Sequence, residues 1–535
     1  MPRLSYQRID ALPKLAWLAR IDADDALVTV LHGASVETRA AFFFEGCWSG
    51  RFEDGAFDKV DAVYGSGAVV RGDSVVFVPP ADTVDSLFHA HAGNRLVVAN
   101  SLPLLLAYRD DRLDARFPRY EALLDSIAAG IDKYERRIPT VRGGVSRLLF
   151  RNLSVSGTST AVLDKPLPPP LPSYEAYVGY LEESYERLVA NARDPARRQP
   201  LAIYSTQSRG YDTTAVNAIA ARHGFDKVFT CTRARDKSAF TGFEREAPDD
   251  DGTAIGRALG FDCIAIDRLD YQTDRSWDEA LYYAGAHSIH DVNLVGLNRH
   301  VDRPGILLSG TFGEIWRGPE YYEHARHAVG PDLVRSDLAQ HGMGEVRLKV
   351  GLAFLPFPFI AGQRREEILN IASTAEMQRW RLGRGYDKPI ARRIAEERGV
   401  PRQLFGMQKL NSTVSLPRPP VPLEPDLRQR YFEFLVREGL ARRWQLRLLP
   451  LVHRINQALY YHSPTRYRAV YYACRLLSRL LGRRYVPALL LGRLNGTLHA
   501  FCVNEVADRR AATLRGAREP APEPSGSRTG QAQAR

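Results

Sequence analysis

The sequence is poor in several things that would have given it an easy reading. Its five cysteines (Cys47, Cys231, Cys263, Cys474, Cys502) are scattered, with no CxxC pair and no metal-ligand spacing. That excludes a disulfide scaffold and a zinc ribbon, and it suits a reducing cytoplasm. No apolar run approaches the roughly 18 residues of a membrane span; the best is a short stretch around Val486–Leu491. The first residues, Met1-Pro2-Arg3-Leu4-Ser5-Tyr6, contain no apolar signal segment, so export is not expected. There is no GKS or GKT of a Walker A loop, no GxGxxG, and no internal repeat of fixed period. Lysine is scarce, with 9 beside 64 arginines. Arginine abundance by itself can reflect codon usage, so the few lysines matter where they fall in a motif.

What is present fills several domains. At roughly 150 residues each, 535 residues predict three or four, or two large ones. The chain is 44% apolar and 25% charged, enough to bury sizeable cores. Arg428–Arg493 holds fourteen arginines against two carboxylates, Glu433 and Glu438, while the whole chain carries only +11. A basic excess confined to one segment implies a local anionic partner.

Pro-rich runs at Lys165–Pro172 and Leu416–Pro422 read as stiff linkers. They predict a domain over 1–165, another over 173–415, a basic helical extension over 423–505, and a disordered tail over 511–535. The first is strand-rich, with runs at Ala26–Leu31, Ala40–Phe44, Ala68–Val70, Ser74–Val78 and Arg95–Ala99, and helices over Ser101–Tyr108 and Arg119–Ala129. That predicts an α+β or layered β domain. After a helix over Tyr174–Asn191, strands (Leu201–Thr206, Lys227–Thr232, Cys263–Ile266) alternate with helices (Thr213–His223, Asp251–Leu259). The expected fold class is α/β, a doubly wound parallel sheet with its ligand at the carboxyl ends of the strands.

The loop after the first of these strands is Gln207-Ser208-Arg209-Gly210-Tyr211-Asp212, running into a helix. Helix N–H groups, the hydroxyls of Ser208, Thr213 and Thr214, and the freedom of Gly210 suit an anion. Asp212 suits one only if Mg²⁺ lies between it and a polyphosphate. An ordinary strand-to-helix turn, with Asp212 or Thr213 as N-cap, is the alternative.

Ser208-Arg209-Gly210-Tyr211-Asp212-Thr213-Thr214 resembles the SGGxDSS pyrophosphate loop of the N-type ATP pyrophosphatases, and three further segments follow in the order of their asparagine synthetase branch. They are Asp251–Ala254 with Leu259-Gly260; Leu308-Ser309-Gly310-Thr311-Phe312-Gly313-Glu314-Ile315-Trp316-Arg317-Gly318, similar to LSGxGxDExFGG; and Pro358-Phe359, then Lys388 with Arg392 and Arg393, then Pro401, Phe405-Gly406 and Lys409. The resemblance covers about residues 175–415. Arg209 replaces a glycine, Glu314 an aspartate, Ile315 a glutamate and Ala361 the aspartate of PFLD, which argues against asparagine synthesis itself. Asp85–Tyr108 resembles the last part of the glutaminase-like domain that precedes such synthetases. Its nucleophile is an N-terminal cysteine, and Pro2 cannot replace that thiol. Residues 1–165 are therefore expected to be glutaminase-like without the nucleophile, or an unrelated β-rich domain, with Cys47 in the core.

The resemblance implies an ATP-dependent, amide-forming ligase that activates a carboxylate as an acyl-adenylate and releases pyrophosphate. Its cofactors would be ATP and Mg²⁺. Ser208, Gly210, Asp212, Thr213 and Thr214 would hold pyrophosphate and metal, with Glu314 as second metal carboxylate. Ser309, Gly310 and Gly313 would line the adenylate. Lys409 would stabilise developing charge, assisted by Lys388 and Arg392. Nitrogen would come from free ammonia, a donor protein or a substrate amine. His287, His290, Asp291 and Asn293 fall where acceptor residues would lie, or cap a helix. The acid would be a small molecule or a glycan carboxylate. In Arg428–Arg493, helices over Val436–His453 and Tyr467–Leu481 would dock on an anionic membrane surface from its cytoplasmic side, or merely expose an Arg-rich face. A uronic acid on a lipid carrier would suit both features. Nothing resembles a nucleic-acid module. A non-catalytic partner protein and an RNA-modifying relative are the alternative readings.

Overall fold

The structure is a computed structural model. It describes residues 1–22, 26–117, 119–232, 249–268, 270–274, 277–285, 290–318, 343–383, 386–407, 422, 424–449, 451, 469–470, 472–473, 476–477, 480 and 487–516. It is an α/β structure with one parallel sheet, two further sheets and packed helices.

The first 163 residues form thirteen strands: β1 (Arg3–Arg8), β2 (Trp17–Asp22), β3 (Leu27–His32), β4 (Glu37–Thr38), β5 (Phe42–Trp48), β6 (Val63–Arg71), β7 (Ser74–Val78), β8 (Leu87–Ala92), β9 (Arg95–Ala99), β10 (Arg137–Ile138), β11 (Val145–Leu148), β12 (Asn152–Ser156) and β13 (Ser159–Leu163). One sheet has the order β1-β3-β2-β9-β8-β11-β10, and the other β13-β12-β7-β6-β5-β4. The two share a buried layer in which Trp17 meets Phe43 edge-on at 5.0 Å and stacks on Phe77 at 6.1 Å. Alternation along β3 puts Val28 and Val30 into this layer and Leu27 and Thr29 nearer solvent. The layered β expectation therefore holds for residues 1–163. Helices α1 (Leu102–Arg109) and α2 (Tyr120–Leu124) cover one side. Ser101 caps α1 through Leu104 N–H.

The Pro-rich run is not a free spacer. Lys165 is buried and donates to Asn152 at 2.7 Å, the Leu171 N–H bonds Glu367, and Arg364 donates to the Pro168 carbonyl. Beyond it, α3 (Tyr174–Ala192) leads into the parallel sheet. Its strands are β14 (Ala202–Thr206), β15 (Lys227–Cys231), β16 (Ile264–Ile266), β17 (Gly305–Ser309) and β18 (Leu352–Pro356), with α4 (Tyr211–Ala220) and α5 (Thr253–Leu259) between the early strands. The order is β16-β15-β14-β17-β18. The chain winds outward from β14 one way, then returns to add β17 and β18 on its other side. β17 and β18 are buried throughout, as strands covered on both faces must be.

The C-terminal part departs most from expectation. A helix spans Pro425–Arg437 and ends near Val436, where the sequence pattern predicts a helix beginning; the expected helix does form over residues 443–449, starting seven residues late. A further helix runs Pro487–Gly516, past the expected end of the basic extension at 505 and six residues into the expected tail. Val503, Val506, Ala507 and Leu514 are buried. This apolar stripe holds the helix down although its overall composition is Ala- and Arg-rich. Residues 517–535, most of Tyr467–Leu481 and the run 416–421 lie outside the described residues. One continuous core joins the β layers, the parallel sheet and this helix. A buried ion network crosses the same junction: Arg347 pairs with Glu45 at 3.3 Å and with Asp85 at 2.7 Å.

Candidate functional site

The strand order reverses between β14 and β17, and each strand ends in one of the loops singled out in the sequence. Such a reversal opens a crevice at the carboxyl edge of a parallel sheet.

On the β14 side, α4 begins at Tyr211, two residues earlier than its apolar pattern suggests, with Gly210 as N-cap. No side chain caps it, so neither Asp212 nor Thr213 does. Asp212 sits in the first turn, where helix N–H groups favour a carboxylate. The loop hydroxyls bond one another. Ser208 Oγ and Thr213 Oγ1 share a hydrogen bond at 2.9 Å, Gly210 N–H donates to Ser208 Oγ at 3.1 Å, and Thr214 Oγ1 donates to the Gly210 carbonyl at 2.7 Å. Behind them the buried amide of Asn217 donates to the Thr206 carbonyl and to Gln207. Arg209 turns away toward Asp249, while its own N–H bonds Asp250 at 2.9 Å.

On the β17 side, Ser309 bonds Thr311, and Phe312 adopts a left-handed φ of 68° before a short 3₁₀ turn, Gly313–Trp316. The two loops are pressed together at glycines. A Cβ on Gly310 would lie 2.7 Å from Asp212 Cβ, and one on Gly313 would lie 2.2 Å from Asp212 Cγ. Any larger residue would push Asp212 and Glu314 apart. Ile315 is buried in the core.

Lys388 closes the site from the start of the helix Pro389–Glu397. Its ammonium donates to both carboxylate oxygens of Asp212 at 2.7 Å and lies 3.6 Å from Glu314. The lysine side chain is fully buried, Asp212 is 20% exposed and Glu314 12%. Arg317 pairs with the other oxygen of Glu314 and lies over the Tyr386 ring. Two carboxylates thus face two cations. Burial, helped by the charges of Asp212 and Glu314, pushes the Tyr386 hydroxyl well above its ordinary range, so it stays protonated. Among the described residues no group of three or more His, Cys, Asp or Glu side chains could hold a metal ion. Asp212 and Glu314 do supply the oxygen donors that Mg²⁺ prefers. They fit that ion only if Lys388 gives up its position between them.

Arg392 does not join this group. It is fully buried, donates to Tyr211 at 2.6 Å and to Glu396 at 3.0 Å, and stacks on Tyr211 and Phe405. It props the start of α4. Lys409 and His287 lie outside the described residues, and His290, Asp291 and Asn293 fall on the 3₁₀ segment His290–His300. Sequence reasoning missed Gln207, Asn217, Arg317 and Tyr386. Gln207 and Arg317 lie within the quoted motifs, and Tyr386 two residues before Lys388; Asn217 carried no signal. Cys47 is buried and its thiol is pushed up to about 12, first by burial; it is core and not a nucleophile.

Comparison with protein-family models and with curated proteins finds no match to this chain.

Proposed function

We propose that this chain is an ATP-dependent ligase that forms an amide from a carboxylate and a nitrogen nucleophile. The observation that carries the reading is the convergence of Asp212 and Glu314 on Lys388 at the reversal between β14 and β17. On this reading residues 173–415 form a doubly wound ATP pyrophosphatase domain, and residues 1–165 a glutaminase-like domain without a thiol nucleophile.

In the reaction a substrate carboxylate oxygen attacks the α-phosphorus of ATP. The bond to pyrophosphate breaks, leaving an acyl-adenylate. The nitrogen nucleophile then attacks the acyl carbon, AMP departs, and the nitrogen loses a proton. The residues' work is positioning and charge stabilisation. Ser208, Thr213 and the first N–H groups of α4 would receive the pyrophosphate, trading their mutual hydrogen bonds for phosphate oxygens. Ser309, Gly310 and Gly313 would border the adenylate. Asp212 and Glu314 would hold Mg²⁺, which neutralises polyphosphate charge when bound. Lys388, displaced from between them, would turn to a phosphate oxygen. Arg392 would act only by holding Tyr211 and the start of α4. Lys409 is assigned to developing charge by motif alone. The test is release of AMP on a panel of carboxylates with ammonia or amines, abolished in Asp212→Asn.

One observation favours a second reading, a non-catalytic descendant. The carboxylates and cations already balance, Ser208 and Thr213 already bond each other, and Thr214 is already bonded to the Gly210 carbonyl. A chain that binds no nucleotide would keep that closed arrangement.

For a partner, the basic segment favours an anionic membrane surface. Trp444, Leu448 and Leu451 are 56%, 40% and 57% exposed, at helical spacing and among Arg442, Arg443 and Arg447. Tyr472, Leu476 and Leu480 repeat the pattern at 62%, 58% and 73%. Apolar residues flanked by arginine suit the lipid head-group boundary. Among the described residues no helix is long and apolar enough to cross a membrane. The acid would then be a lipid-borne carboxylate, such as a glycan acid.

A further inference from the structure

The opposite edge of the parallel sheet carries a second concavity. It encloses about 250 Å³ and is lined by the turn Ala11–Lys14, by Asp278 and Lys349, and by Arg509 and Arg510 of the C-terminal helix. Lys349 closes the short helix Glu345–Val350 just before β18 begins. Asp212 and Glu314 follow the far ends of β14 and β17. A five-residue strand, roughly 16 Å, therefore separates this concavity from the Lys388 site.

Its charge is unbalanced. Four cations line it against one carboxylate, Asp278, which Arg509 already engages at 2.6 Å. Lys14 reaches the Val350 carbonyl at 3.2 Å, so its ammonium is held beside the concavity. Lys349 is exposed. Arg510 is half-buried, and its Nε is shut off from solvent without a hydrogen-bond partner. Burial, with the Arg509 charge beside it, holds Arg510 below its ordinary range, although Glu345 behind it opposes. The cations lining the hollow outnumber its one carboxylate and repel one another. That cost falls when an anion with several acceptor oxygens enters.

We propose that this concavity binds a small phosphate-bearing anion of about the size of pyrophosphate. The volume lies below the roughly 300 Å³ at which drug-sized ligand pockets begin. Lysine and arginine together suit phosphate oxygens. The bound anion would tie three parts of the chain: the turn after β1, the approach to β18, and the C-terminal helix. The assignment is independent of the ligase reading.

Calorimetric titration of the full chain with sodium pyrophosphate, without Mg²⁺, tests it. Lys349→Glu and Arg510→Gln run beside the parent, each checked for an unchanged melting temperature. Lys349 is exposed, so its variant folds even if Arg510→Gln does not. Pyrophosphate would also suit the loop after β14, so Ser208→Ala is titrated in parallel. A binding event weakened roughly tenfold or more by Lys349→Glu, and left intact by Ser208→Ala, supports the site. The same Lys349 dependence seen only with vesicles containing phosphatidic acid supports it too, and assigns the phosphate to a lipid head group. Binding to neither probe overturns it, as does binding that Lys349→Glu leaves unchanged.

Discussion

The ammonium of Lys388 lies 2.7 Å from each carboxylate oxygen of Asp212, across 176 residues of sequence. It occupies the place between Asp212 and Glu314 that a divalent cation would need. Lysine and metal are therefore competitors. Lys388→Met should raise affinity for Mg²⁺, because two carboxylates lose a resident cation. Mg²⁺ titration by calorimetry reads the change directly; equal or weaker binding in the variant would show that Lys388 does not hold the metal position.

The approach of the two loops depends on Gly313. A methyl group there would meet Asp212 Cγ at 2.2 Å, so either the Asp212 side chain leaves its place against Lys388 or the loops separate. Gly313→Ala should cost about 1–3 kcal/mol of stability and weaken nucleotide binding. Urea unfolding checks the first part. A stability within error of the parent would mean that the loops are free to separate.

In the N-terminal β layers, burial pushes Asp82 up to about 7 and Lys165 down to about 7; Asp85 adds to the first shift, and Asp82 itself opposes the second. Between about pH 4, the unfolded value for Asp, and pH 7, the folded chain binds more protons at Asp82, so stability falls as pH rises. Between pH 7 and about 10, where unfolded Lys titrates, the unfolded chain binds more at Lys165, so stability rises with pH. The joint penalty peaks near pH 7. The double variant Asp82→Asn, Lys165→Met should gain most over the parent there. Urea midpoints at pH 5, 7 and 9 test this, and a gain that does not peak at pH 7 contradicts it.

The exposed Trp444 offers a reporter for the membrane reading. Vesicles containing phosphatidylglycerol should shift its emission to the blue at low salt, and phosphatidylcholine vesicles should not. Trp444→Glu with Leu448→Glu should abolish vesicle binding. If the pair instead dissolves a dimer seen by size exclusion, the face is a contact between copies of this chain.

The strand and helix alternation around Ser208 was legible because β-branched and apolar runs are short there and Gly and Asp punctuate them. It led to β14, β15, β16, α4 and α5, with ends displaced by one to three residues. Lys388 stood out because lysine is rare, yet its partner could not be read, since Asp212 lies 176 positions away. Arg392 shares a helical face with Lys388 by spacing, but Tyr211 and Glu396 capture its guanidinium. The last turns of the helix Pro487–Gly516 looked like the start of a tail because arginine and alanine dominate them, and the stripe from Val503 to Leu514 is sparse. The ion network of Arg347, Glu45 and Asp85 left no local pattern at all, because each partner comes from a different part of the chain.

The ligase reading requires the loop between β14 and α4 to be a nucleotide site. Calorimetry with Mg²⁺ and a non-hydrolysable αβ analogue of ATP tests it without knowledge of the acid, run on the parent chain and on Asp212→Asn. Saturable binding by the parent, lost in Asp212→Asn while that variant still unfolds cooperatively, is the predicted result. No binding by the parent would contradict the claim and leave the closed, charge-balanced arrangement of Asp212, Glu314, Arg317 and Lys388 as a structural device.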